Sequence, residues 1–143
     1  MKKICFILIM GIFLMTGCSK SSSVVNINTN RIEFNDNIFR DTEAKLVYNI
    51  EYSIGGMDFV NVSDDSLITD IIRLLQNLDL KEKAPQDEPR EGGTIIRITT
   101  SKGIISFGFF GAEILGDGIY YEIDEDKGEE IMEYLRQLMR KML

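Results

Sequence analysis

Few residues in this chain could do chemistry. Histidine is absent, which removes Ser-His-Asp and Cys-His catalytic arrangements and the usual His-containing zinc sites. Carboxylates, a Ser/Lys pair and oxygen ligands for a hard cation remain open. The densest acidic run is Asp124-Glu125-Asp126-Lys127-Gly128-Glu129-Glu130. An EF-hand loop needs oxygen ligands at positions 1, 3 and 5 and Gly at position 6. Counted from Asp124, Gly128 falls at the fifth position, so the spacing fails. Acids at the start of a helix explain the run without a metal, because they meet the positive end of the macrodipole. Asp64-Asp65 with Asp70 could share general acid/base work if burial raised one pKa. Their placement in the first turn and on the polar side of an amphipathic helix favours plain solvation instead. No catalytic residue, metal or cofactor is assigned from these patterns.

Two further groups could bind rather than react. Phe107, Phe109, Phe110, Tyr120 and Tyr121 form an aromatic cluster in the sequence. Strand alternation sends some of them inward and leaves Phe110 and Tyr120 on the other face, where aromatics can anchor a partner. The polar face of the same strands carries Arg97, Glu51, Thr99 and Glu122. Arg97, Tyr120, Glu122 and Phe110 are therefore the candidate partner-binding residues. A bare solvated antiparallel face explains the same pattern.

The elements that must position these residues can be read from periodicity. Leu46, Tyr48, Ile50, Tyr52 and Ile54 alternate with Val47, Asn49, Glu51 and Ser53, a period of two that predicts a half-buried strand. Gly55-Gly56 supplies a tight turn into a second strand, Met57 to Val62. Ser63-Asp64-Asp65 reads as a capping hydroxyl followed by acids, and predicts a helix to Asn77 or Leu78. Leu67, Ile68, Ile71, Leu74, Leu75 and Leu78 make its apolar stripe. Lys81 to Gly93 holds both prolines amid charges and reads as a surface loop. Strands Thr94–Thr100 and Ile104–Phe110 flank Ser101-Lys102-Gly103. Glu113–Leu115 and Ile119–Ile123 flank Gly116-Asp117-Gly118. A second amphipathic helix spans about Lys127 to Met142, with Ile131, Leu135, Leu138, Met139 and Met142 on its apolar side. The predicted order is ββαββββα: an α+β fold, an antiparallel sheet with both helices on one face. Ile50, Tyr52, Ile98, Phe107, Phe109, Tyr121 and Ile123 are expected to face the helices.

The N-terminus is a different kind of sequence. Lys2-Lys3 precede the apolar run Ile4–Met15, which ends in Thr16-Gly17-Cys18. A charged start and a short apolar run are the parts of a secretory signal, and the run is shorter than the about 20 residues a spanning helix needs. Leu14-Met15-Thr16-Gly17-Cys18 resembles the lipobox of bacterial lipoproteins, with Met15 where Leu is usual. The resemblance implies thioether attachment of a diacylglycerol to Cys18 and cleavage before it. Two acyl chains hold a protein where one anchors only marginally. Beyond Cys18 the chain resembles small envelope lipoproteins of Gram-positive bacteria, and that likeness carries no functional residues. The expected organisation is a signal at 1–17, a lipid-anchored flexible tether at 18–43, and a single α+β domain at 44–143. Ser19-Lys20-Ser21-Ser22-Ser23 suits a tether, and most of the stretch from Val24 to Glu43, rich in Asn, Asp and Thr, is expected to extend it, although the weak alternation of Val25/Ile27 and Ile32/Phe34 leaves room for a short strand.

Charge and cysteine bound the rest. Loss of Lys2 and Lys3 takes the 16 basic residues to 14, against 23 acidic, for a formal charge of −9. Such a chain has no basic patch for nucleic acid and is repelled by anionic headgroups. Of the two cysteines, Cys5 lies in the signal and Cys18 takes the lipid, so the domain has no disulfide and depends on its core. The expectation is a monomeric module, lipid-anchored on the outer leaflet of the cell membrane and facing away from the cytoplasm. It binds or assists an envelope protein without catalysis. An immunity or inhibitor lipoprotein and a small carboxylate-based hydrolase are the alternatives.

Overall fold

The computed structural model describes residues 27–85 and 91–142. Cys18 and the expected signal lie outside the described residues. The fold is α+β: a seven-stranded antiparallel sheet with two helices. Its elements are β1 (Val47–Ile54), β2 (Val60–Val62), α1 (Asp65–Gln76), β3 (Lys81–Glu82), β4 (Thr94–Thr100), β5 (Ile104–Phe109), β6 (Glu113–Gly116), β7 (Ile119–Glu122) and α2 (Glu125–Met142). The strands lie in the order β2-β1-β4-β5-β6-β7-β3.

Alternation decides the two faces of the sheet. Ile50, Tyr52, Ile96, Ile98, Phe107, Phe109, Ile114 and Tyr121 are buried in one core with Ile68, Ile71, Ile72 and Leu75 of α1 and Ile131, Leu135 and Leu138 of α2. The Tyr52 hydroxyl donates to the Leu135 carbonyl at 2.9 Å, tying the central strands to α2. Both helices thus cover one face, and the inward residues expected from the pattern are all buried. Asp64, rather than Ser63, caps α1: its Oδ1 accepts from the backbone N–H of Ser66 and Leu67, each at 3.0 Å. A carboxylate next to the first turn both accepts these N–H bonds and meets the dipole.

Three expectations change. Residues Lys81–Glu82 form a strand instead of a loop, pairing antiparallel with β7 at the sheet's edge; two charged residues carry no period from which a strand could be read. The start of β1 reverses its faces. The register shifts between Val47 and Asn49, and this bulge buries Val47 and leaves Tyr48 37% exposed. A single extra residue in a strand switches the side chains on either side of it to opposite faces.

The largest change concerns the expected tether. Residues 30–43 belong to the domain, so a boundary at residue 43 is too late. Arg31 makes a parallel bridge with Ile104, where β5 has no β6 neighbour because β6 pairs only Gly108 and Phe109. The Ile104 N–H donates to the Asn30 carbonyl, and the Ile32 N–H to the Ile104 carbonyl, both at 2.8 Å. Phe34, Ile38 and Phe39 then sink into the core. Phe34 packs against Phe39, Phe107 and Tyr121 with ring centroids 5.4–5.6 Å apart. The β6–β7 turn locks this segment. Asp117 and Gly118 both have positive φ, the type I′ geometry, and Asp117 Oδ2 accepts from the Phe34 N–H at 2.6 Å. Its other oxygen pairs with Arg31.

Candidate functional site

Among the described residues the face opposite the helices is an open sheet surface, and register places its side chains in rows. Ser53, Ile95, Gly108, Leu115 and Tyr120 are successive cross-strand neighbours on β1, β4, β5, β6 and β7. Phe59, immediately before β2, extends this row by one position. Ile95 is 50% and Phe59 52% exposed, while Leu115 and Tyr120 are half-buried. Strands about 4.8 Å apart make the row about 24 Å long from Phe59 to Tyr120.

The four residues singled out from the sequence all lie on this face. Arg97 of β4 sits one row over. Its Nη1 donates to Glu51 Oε2 at 3.1 Å, and its guanidinium lies over the Phe59 ring, 5.8 Å from the centroid. Such stacking holds a cation beside an apolar surface. Phe110 comes directly after β5, and its ring lies across the backbones of Gly93 and Gly108. A Cβ added at those glycines would meet ring carbons at 2.3 and 2.7 Å. Glycine is thus required at both positions for close packing rather than for a special φ. Tyr120 and Glu122 point outward from β7, the first half-buried and the second exposed.

Sequence reasoning missed two parts of this surface. Phe59 and Ile95 were legible as apolar residues at outward positions, but alternation alone assigned them no role. The Lys83–Glu113 ion pair could not be read at all, because it depends on β3. The Lys83 N–H donates to the Tyr120 carbonyl at 2.8 Å, and its ammonium pairs with Glu113, which is only 7% exposed. Charge on the face is balanced: Arg97, Lys81 and Lys83 stand against Glu51, Glu113 and Glu122. The chain's formal charge of −7 is therefore carried by the rest of the molecule.

The acidic candidates stand apart from this face. Asp124 Oδ1 accepts from the Lys127 N–H at 3.1 Å, as a cap does. Asp70 pairs with Arg73 at 2.8 Å and accepts from the Tyr134 hydroxyl at 3.3 Å. Asp70, Glu130 and Glu133 do line an open cleft of about 440 Å³ between α1 and α2. Glu133 lies 3.6 Å from Arg136. Burial first, and then the negative charge of Asp70, raise the Tyr134 pKa. Among the described residues no group of three or more His, Cys, Asp or Glu side chains could hold a metal ion. None of the described helices is long and apolar enough to cross a membrane. Comparison with known protein families, known proteins and solved structures gives no match, so the open face has to be interpreted from its own geometry.

Proposed function

We propose that this chain is a lipid-anchored envelope protein that acts through a protein contact made by the open sheet face, without catalysis of its own. The anchoring half of the reading rests on the lipobox-like Leu14-Met15-Thr16-Gly17-Cys18 at the end of a signal-like run. Acylation of Cys18 would hold the α+β domain on the outer leaflet of the cell membrane, with the mature charge of −9 keeping it off anionic headgroups. One observation carries the contact half: Arg97, Phe110, Tyr120 and Glu122 share a face that no described element covers, with apolar side chains at Phe59, Ile95 and Leu115 along one row. Apolar side chains half exposed in one band, with ion pairs at the rim, have the layout of an interface core and rim.

The anchor is tested by Cys18→Ala. The expected product keeps its signal, takes up no labelled fatty acid and is poorly processed, while the wild type is shortened and labelled. A Cys18→Ala chain processed to the same length, with undiminished label, would remove the anchor from this reading. The contact is tested by Ile95→Asp in cells. Ile95 is half exposed, so folding is expected to be unchanged by circular dichroism, while any activity of the protein in the envelope is lost. Full retention of that activity would exclude this face.

A further inference from the structure

The open face raises the question of what covers it. We propose that its occupant is a second copy of this chain, paired face to face about a two-fold axis that runs along the strands. This rests on the proposed role of the face and goes beyond it by naming the occupant. It also departs from the monomer expected from the sequence.

The first argument is charge. Two acidic molecules repel wherever their net charge meets. On this face, however, three cations stand among three anions, with Arg97 paired to Glu51 and Lys83 to Glu113. The helix side presents Asp64, Asp65, Glu125, Asp126, Glu129 and Glu130 to solvent against Arg73, Lys127, Arg140 and Lys141, an acidic excess that disfavours its meeting its own copy. The neutral face is the surface on which like-charged copies approach at least cost.

The second argument is shape. A two-fold interface needs a patch that complements itself. Along the row the accessible side chains are Phe59, Ile95, Leu115 and Tyr120, since Ser53 is buried with its hydroxyl donating to the Met57 carbonyl and the Phe110 ring covers Gly108. An axis between β4 and β5 sets each strand against its mirror position. Ile95 then meets the Phe110 ring that covers Gly108 of the second copy. Leu115 meets the surface over the buried Ser53, and Phe59 meets Tyr120. Ile95 and Phe59 each face an aromatic ring, and two sheets packed this way lie about 10 Å apart and within about 30° of parallel.

The third argument is the position of the chain ends. An axis along the strands leaves both copies pointing the same way. Residues 30–32 dock beside the β4–β5 hairpin, so both N-terminal segments leave from the same end of the pair, as two copies anchored in one membrane require. Three outward rows about 7 Å apart give a patch near roughly 500 Å² in projection, which is modest beside the ~800 Å² per partner of a standard interface. Pairing is therefore expected on the membrane, where confinement raises the effective concentration.

The test is photo-crosslinking in intact cells. The full-length chain carries p-benzoylphenylalanine at position 95, and adducts are identified by mass spectrometry after irradiation. The expected adduct has twice the mass of the chain and contains peptides of this chain only. Its yield falls at least tenfold with Phe59→Asp or Leu115→Asp, neither of which alters the crosslinking residue itself. Circular dichroism of the purified variants confirms that they fold. An adduct to a different protein would overturn the pairing and leave the contact role of the face intact. Failure of a folded, membrane-bound chain to form any adduct would overturn both. A self-adduct whose yield ignores both Asp substitutions would place pairing on another surface and overturn the proposal.

Discussion

Tyr52 shows how one side chain sets a pH limit for the whole domain. It is fully buried and its hydroxyl donates to the Leu135 carbonyl. Burial, with a smaller contribution from Tyr134, pushes its pKa up to about 12. An unfolded tyrosine titrates near 10. The folded state thus holds the proton over a range in which the unfolded state has released it. The stability this confers is complete below about pH 10 and is lost as pH climbs through about 12. Tyr52→Phe is expected to cost about 1 kcal/mol at pH 7, the net worth of one hydrogen bond, and to flatten the decline between pH 10 and 12. Tyr121 and Tyr134 are also raised, chiefly by burial, so a residual slope stays. Urea denaturation at stepped pH measures both effects; an unchanged alkaline slope in Tyr52→Phe would show that another group sets the limit. At this scale the sequence was informative. Alternation put Tyr52 inside, and Arg97, Tyr120, Glu122 and Phe110 outside. It failed at Val47 and Tyr48, because a bulge leaves no mark in hydrophobic pattern: both residues are apolar enough for either face.

At the scale of elements, the segment from Asn30 to Thr42 is the part that composition misread. Its Asn, Asp and Thr residues suggest a linker, yet their side chains serve local turns: Asn35 Oδ1 accepts from the Asn37 N–H at 2.9 Å, and the Thr42 hydroxyl donates to the Ile38 carbonyl at 2.6 Å. Such bonds let a polar stretch hold Phe34, Ile38 and Phe39 in the core without a regular period. Repeated strands and helices announce themselves by period, whereas here the weak alternation of Ile32 and Phe34 marks only the short bridge to Ile104 and gives no sign of Ile38 and Phe39. The gap itself is tertiary, since it exists only because β6 is too short to cover the start of β5. Phe34→Ala is expected to cost about 3–5 kcal/mol, as for other large-to-small core changes, a large part of the roughly 5–15 kcal/mol typical of a domain. A chain beginning at residue 44 would lose all three buried side chains and the bridge to Ile104 together. It is expected to be unfolded or molten at 25 °C by near-ultraviolet circular dichroism, whereas one beginning at residue 27 folds. A cooperative thermal transition in the shorter chain, at the temperature of the longer one, would return residues 30–43 to the status of a tether.

For the whole molecule, the docked N-terminal segment sets which end of the domain would lie nearest the proposed anchor at Cys18. Cys18 is nine residues from Ile27, a link of at most about 30 Å when fully extended. The chain then enters the domain at Asn30–Ile32, against Gly103 and Ile104 of the β4–β5 hairpin. The Ser101 N–H donates to the Leu46 carbonyl at 2.9 Å, so this hairpin sits at the start of β1. Met57 lies past the other end of that strand, whose eight residues span about 27 Å. An acylated chain in vesicles should therefore present its β4–β5 hairpin to the lipid and its β1–β2 turn to the solvent. A fluorophore at Lys102→Cys is expected to be quenched by headgroup-borne quencher several-fold more than one at Met57→Cys; both positions are exposed, so neither label disturbs the core. Charge sharpens the test. A chain cleaved before Cys18, of formal charge −9, would stand off an anionic surface at low salt, and shortening the Debye length from about 30 Å at 0.01 M to about 10 Å at 0.1 M weakens that repulsion. Quenching at position 102 should then rise with salt on anionic vesicles, stay level on neutral ones, and change little at position 57 on either. Equal quenching at the two positions would mean that the domain tumbles on its link, and the shared orientation required for face-to-face pairs would have to come from the pairing itself.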